Sequence, residues 1–303
     1  MSTVIAVDSL TKRYGSTVAV HDVSFSVEQG EIFALLGPNG SGKTSTVECL
    51  QGLRARDGGQ VSVLGVDPQH ESAKLRHRLG SQLQDSALPD RIRVGEALEL
   101  FASLAPGSVD WRLLLDQWGL TAQRRTAFAS LSGGQRQRLF VALALVSEPE
   151  VVFLDELTQG LDPAARRVAW DLIRAIRERG STVVLVTHYM DEAETLADRV
   201  AVIAGGRVTA LGTPTELVAG AGAGVVVRFS EARDVRWLNG LEPVDTVDQQ
   251  GAAVTVRGHG PVLALVAAAL VGRGIVPLDL RVERPTLEDV FLRLTDPDTA
   301  SVA

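Results

Sequence analysis

Eight residues, Gly37-Pro38-Asn39-Gly40-Ser41-Gly42-Lys43-Thr44, constrain this chain more than any other feature. They satisfy the spacing G-x-x-x-x-G-K-[ST], follow the apolar run Glu31 to Leu36, and lead into a helical pattern. Glycines let a backbone wrap so closely that its N–H groups converge on one point, and a helix starting near Lys43 adds its positive dipole end. A loop of that kind fits a polyphosphate. Its amides would surround the β-phosphate, Lys43 would bridge the β- and γ-phosphates, and Thr44 Oγ would ligate Mg²⁺. Strand, loop and helix in this order predict a nucleoside triphosphate site.

Such a ligand must be met locally, because the chain as a whole is acidic. Among 303 residues there are 30 Lys and Arg against 37 Asp and Glu, a net charge of −7, which argues against nucleic acid as a partner. With 45% hydrophobic and 22% charged residues, the chain can bury one large core or two modest ones. Cys49 is the single cysteine, so no intrachain disulfide forms; its place in the helix after the loop reads as a packing thiol. The first residues lack a signal-peptide core, and the longest apolar run, Pro261 to Val271, is short of a spanning helix. A cytoplasmic location is the expectation.

The second half of the site is Val151-Val-Phe-Leu-Asp155-Glu156. Four apolar residues predict a buried strand, and Asp155 at its end can hold the hydration shell of Mg²⁺. Glu156 would then stand near the γ-phosphate, where a carboxylate can orient and deprotonate a water, which is general-base chemistry.

Leu131-Ser132-Gly133-Gly134-Gln135 lies about 20 residues before Asp155 and is more restrictive than either motif. Ser132 and the Gly133 and Gly134 amides can donate to a phosphate, and "QRQRLFVALALV" supplies a helix behind them. This sequence resembles the signature of the ATP-binding cassette family, and the resemblance runs over residues 3 to 215. It implies an α/β fold: a P-loop NTPase (RecA-like) core with an N-terminal antiparallel β-subdomain, an inserted α-helical subdomain and, here, a small C-terminal α+β domain. It implies ATP and Mg²⁺ as ligands and ATP hydrolysis as the activity. Two nucleotide-binding domains pair head to tail in that family, so Leu131 to Gln135 would cap the ATP held by the opposite protomer, a second copy or a related ATPase.

Further positions match in order. Tyr14 in "TKRYG" resembles the aromatic residue that stacks on adenine; with Gly37, Pro38, Asn39, Gly40, Ser41, Gly42, Lys43, Thr44 and Ser45 it makes up the implied ATP-binding set. Gln84 resembles the glutamine that links Mg²⁺ to the helical subdomain. Gln82 is a near alternative, but Gln84 lies four residues after Gly80, where strand pattern yields to helix. Gly160-Leu161-Asp162 resembles the D-loop, and His188, after "STVVLVT", resembles the switch histidine. The implied catalytic set is Glu156, His188, Lys43 and Gln84, with Thr44, Gln84 and Asp155 around the metal. Leu157 departs from the pattern, since the family usually has proline after the glutamate; that loosens a backbone restraint without removing a reacting group.

The expected organisation is a nucleotide-binding domain over residues 3–217, with its helical subdomain at about 85–149. Val94 to Leu104 and Trp111 to Leu120 show helical spacing there. Strands at Val151 to Leu154, Val183 to Val186 and Val200 to Ile203, with a helix over Pro163 to Arg177, predict a parallel sheet. A linker at 218–224 precedes a domain at 225–295, with strands at Val225 to Phe229, Ala253 to Val256 and Val276 to Val282 around a helix at Val262 to Val271; a frayed tail at 296–303 follows. Near the end Thr286 can cap a helix with Asp289, and Leu287, Val290, Phe291 and Leu294 form an apolar stripe. "THYMDEAETLADRV" and "VERPTLEDVFLRLT" resemble bacterial exporter ATPases of the antibiotic-resistance type, including the daunorubicin-resistance group. That implies a peripheral place on the cytoplasmic face of the membrane, a separate transmembrane permease as partner, and export of a drug, lipid or polymer.

Overall fold

A computed structural model of the chain describes residues 2–82, 87–105, 107, 110–220, 224–283 and 286–295. It divides into two compact units, Met1–Pro214 and Thr215–Ala303.

The first unit opens with β1 (Thr3–Tyr14) and β2 (Thr17–Glu28), an antiparallel pair that turns at Gly15. β3 (Ile32–Leu36) enters the main sheet, the phosphate loop follows, and α1 (Lys43–Leu50) leads to β4 (Gly58–Val63), which pairs with the other edge of β1. α2 (Pro68–Leu75), capped by Asp67, precedes β5 (Leu79–Gln82). Next come three helices, α3 (Val94–Leu104), α4 (Trp111–Gln117) and α5 (Gly133–Ala144). The alternating part then runs β6 (Val151–Asp155), α6 (Pro163–Glu178), β7 (Thr182–Thr187), α7 (Met190–Leu196), β8 (Arg199–Ala204) and β9 (Arg207–Gly212). α8 (Pro214–Gly220) begins at the boundary between the units, so residues 218–220 of the expected linker are helical, and 221–223 lie outside the described residues.

The main sheet has the order β5-β6-β7-β3-β8-β9 and is parallel except for β9. β3, β6 and β7 are buried along their whole length, as strands covered on both faces must be. Their alternate residues point to opposite sides. Ile32, Val152, Leu154, Val183 and Leu185 pack with Leu98, Trp118 and Leu139 of the helical part. Phe33, Leu35, Phe153, Val184 and Val186 pack with Ile5, Val23 and Phe25 of the small antiparallel sheet and with Val47 of α1. One set of strands thus binds two subdomains together, each large buried side chain contributing about 1.5–3 kcal/mol. Parallel order also places the loops after β3, β6 and β7 at one edge, where open α/β sheets hold their ligands.

The helix expected over Trp111 to Leu120 ends at Gln117: Gly119 takes φ +61° and the Leu120 N–H donates back to the Leu115 carbonyl at 2.7 Å, a turn that closes the helix.

In the second unit β10 (Val225–Ser230), β11 (Val244–Gln250), β12 (Ala253–Gly258) and β13 (Arg281–Glu283) form an antiparallel sheet of order β11-β12-β10-β13. α9 (Val262–Gly272), between β12 and β13, buries Val262, Val266 and Leu270, residues four apart on one face. Two differences from expectation stand out. β11 is an additional strand, and the strand expected from Val276 is confined to three residues, because Pro277 carries no N–H for a ladder and Val276 and Leu278 are exposed. In α10 (Leu287–Thr295) the Thr286 N–H donates to Asp289 at 2.8 Å and the Asp289 N–H donates to Thr286 Oγ1 at 3.4 Å, while Leu287, Val290 and Phe291 are buried. The Leu294 side chain and the tail at 296–303 lie outside the described residues.

Candidate functional site

The phosphate loop has no room for side chains at two of its glycines. A Cβ on Gly37 would lie 2.2 Å from the Ile203 carbonyl oxygen, and one on Gly42, at φ +102°, would lie 2.4 Å from that of Ala19. β8 and β2 therefore clamp the loop from behind. Pro38, Asn39 and Gly40 stay exposed, while Ser41 is buried and its carbonyl accepts from the Gly206 N–H at 3.1 Å. Lys43 is only 5% exposed and its Nζ donates to the Gly37 and Pro38 carbonyls at 2.8 and 3.0 Å. Burial holds its ammonium below the ordinary lysine range, against the opposing pull of Glu156 and Asp155. Ala19, Asn39, Gly40, Gly42, Lys43, Thr44, Ser45 and Glu156 line one cleft of about 410 Å³, so the loop after β3 and the acid after β6 meet in a single space.

Asp155 closes β6 and is buried; Glu156, next to it, is 9% exposed. Glu156 takes φ +50°, a left-handed conformation that costs a non-glycine residue about 1–3 kcal/mol, and its N–H is held by the Val186 carbonyl at 2.9 Å. That backbone turn lets consecutive acids serve the same edge of the sheet. The Glu156 Oε1 to His188 Nδ1 distance is 3.0 Å, which ties the loop after β6 to the loop after β7. Leu157 is fully buried among residues of the helical part, and its carbonyl accepts from Gln137 Nε2 of α5. Packing and this hydrogen bond restrain the backbone where proline is the usual residue.

Tyr14 stands at the rim: its hydroxyl is 3.1 Å from Ser45 Oγ, and Lys12 Nζ lies 5.5 Å from its ring centre. Thr44 opens α1 with its side chain accessible. Gln84 lies outside the described residues, and Gln82, the alternative, is buried at the end of β5.

Leu131, Ser132, Gly133, Gly134 and Gln135 do not line this cleft. They start α5, where Ser132 and Gln135 cap each other: the Ser132 N–H donates to Gln135 Oε1 at 2.9 Å and the Gln135 N–H to Ser132 Oγ at 3.3 Å. Ser132 and Gly133 are exposed. Gly160, at φ +73°, and Leu161 form the turn before α6, and Asp162 caps that helix by accepting from the Ala164 and Ala165 N–H groups, each at 2.9 Å. Gly134 and Leu161 line one apolar cavity of about 210 Å³, so the start of α5 and the turn before α6 border the same space. Ala19 and Gln137 were missed in the sequence because a small strand residue and a polar helix residue carry no pattern of their own.

Residues 20–159, from β2 through the turn after Glu156, match the family described as ABC transporter. A daunorubicin resistance ATP-binding protein, DrrA3 of Streptomyces coeruleorubidus, is 39% identical over 98% of this chain and 97% of its own length. The chain belongs to the ATP-binding cassette transporter family. A Nod factor export ATP-binding protein I of Ralstonia nicotianae is 36% identical over 96% of this chain and 94% of its own, and the linearmycin resistance ATP-binding protein LnrL of Bacillus subtilis 32% over 95% and 97%. Among solved structures, an ATP-binding subunit of an ABC transporter superposes with a TM-score of 0.66 at 27% identity, covering 72% of this chain and 93% of the other. The cassette is thus a P-loop NTPase fold and an ATPase of the transport type. No helix among the described residues is long and apolar enough to cross a membrane.

Proposed function

We propose that this cassette is the ATP-hydrolysing subunit of an exporter of drugs, lipids or polymers. It works on the cytoplasmic face of the membrane with a separate permease, as a head-to-tail pair with a second copy or a related ATPase. The observation that carries the hydrolytic reading is the shared cleft of Lys43, Thr44 and Glu156, with His188 3.0 Å from Glu156.

In this reading the loop amides and Lys43 bind the β- and γ-phosphates, and Tyr14 stacks on adenine, a contact worth about 1–3 kcal/mol. The donor set suits Mg²⁺: the Thr44 hydroxyl and the buried Asp155 carboxylate are hard oxygen ligands. Thr44, Asp155 and Gln84 would hold the ion, which would supply positive charge beside the phosphates. Glu156 accepts a proton from the attacking water while His188 Nδ1 keeps its carboxyl aimed. Ser132 and the Gly133 and Gly134 amides of the opposite protomer complete the γ-phosphate shell, and Gly160, Leu161 and Asp162 reach across to it. Closure on ATP and opening after hydrolysis supply the work.

Export is supported by near full-length relatives named for resistance and for export. A permease partner is supported by a groove of about 440 Å³ between β5, α3 and α5, lined by His77, Leu88, Phe101, Leu104 and Phe140. Leu104 is 68% exposed there. The test is recovery of tagged Glu156→Gln protein with ATP from detergent-solubilised membranes of its host. A multi-spanning protein in stoichiometric amount is expected; ribosomes or repair proteins without one would overturn the exporter reading.

A further inference from the structure

α7 carries three acids in its first turns, Asp191, Glu192 and Glu194, of which Asp191 and Glu194 are exposed. Glu192 is fully buried. Its carboxyl Oε1 accepts from Trp170 Nε1 of α6 at 3.2 Å; the hydroxyls of Thr187 and Thr158 lie beside the carboxyl, while Glu192 Oε2 and Thr158 Oγ1 are buried with no hydrogen-bond partner in good geometry. Both threonines are themselves fully buried, and the Thr187 hydroxyl also accepts from the Tyr189 N–H at 3.0 Å. Thr187 directly precedes His188, and Thr158 comes two residues after Glu156. One carboxyl therefore packs beside both segments that carry the Glu156–His188 pair, and it is not part of the cleft lining.

Burying a carboxyl is costly unless it is hydrogen-bonded, and an apolar side chain of similar size would fill the space without that cost. The placement points to a task in the reaction. We propose that Glu192 is a positioning residue for hydrolysis: its carboxyl, anchored by Trp170 and packed against Thr158 and Thr187, keeps Glu156 and His188 aligned on the attacking water. The proposal rests on the assignment of Glu156 and His188 given above.

Positioning acts on turnover and leaves nucleotide affinity alone, whereas damage to the fold moves both. The test compares ATP turnover and nucleotide affinity in the full-length chain. Glu192→Ala is expected to lower kcat about 10- to 100-fold, as a misplacement of reacting groups does, with KM and the Kd for ATP within about 2-fold of wild type. Glu192→Gln, which keeps the shape and an acceptor oxygen, is expected to recover kcat to within about 3-fold of wild type. Unchanged kcat in Glu192→Ala would overturn the proposal, as would equal losses of kcat and ATP affinity. Should Glu192→Ala fail to fold, the double variant Thr158→Val, Thr187→Val removes both hydroxyls at constant size; the same kcat-only loss is expected, and wild-type turnover overturns the idea. Glu156→Gln is measured alongside. Wild-type turnover there would show that the parent assignment has failed, independently of Glu192.

Discussion

Glu156 shows how much a single backbone angle contributes to the site. At φ +50° it occupies a region that favours glycine, and the hydrogen bond to Val186 and the contact with His188 hold it there. Letters on a page do not carry that angle, although the motif itself was readable because its residues are consecutive. Glu192 was illegible for the opposite reason: acids at 191, 192 and 194 look alike, and only packing separates the buried one. Burial pushes the Glu192 carboxyl above the ordinary glutamate range; Asp191, itself paired with Arg166 of α6, adds to the rise, and Thr187, Thr158 and Trp170 oppose it. A raised folded pKa gives stability that is complete below the unfolded pKa and is lost as pH rises through the folded value. Glu192→Gln has no such proton. Thermal melts from mildly acidic to alkaline pH should therefore show its Tm gaining on wild type as pH rises, and a difference independent of pH would contradict the shift.

Among the elements, α5 joins stability to the proposed function most directly, since Ser132 is its cap and, exposed, carries the hydroxyl proposed to meet the opposite protomer's γ-phosphate. Replacing it by alanine should cost about 1 kcal/mol and lower Tm by roughly 2–4 °C, with ATP binding to the single chain unchanged and turnover reduced. Calorimetry and nucleotide titration check this; a loss of affinity in the single chain would place Ser132 in its own cleft. Buried parallel strands were legible because β3, β6 and β7 are continuous apolar runs. β11 was not, as "VDTVDQQ" offers only two apolar residues and lies at a sheet edge, and apolar content around Val276 misled because nothing there pairs before Arg281. The Trp111 helix was legible in place but not in length, its end being set by Gly119.

On the scale of the whole molecule, the alternate faces of one sheet bind the helical part on one side and the antiparallel part on the other. The cleft brings together the loops after β3 and β6, and the signature starts α5 outside that lining. In the proposed function a second chain finishes that site. The deciding measurement is the mass of Glu156→Gln protein in ATP and Mg²⁺, followed over time by light scattering beside wild type and Lys43→Ala. The account predicts a lasting species of twice the chain mass for Glu156→Gln, a transient one for wild type that disappears as ATP is consumed, and none for Lys43→Ala. Glu156→Gln protein that stays at the mass of one chain, or returns to it as fast as wild type, would contradict the account.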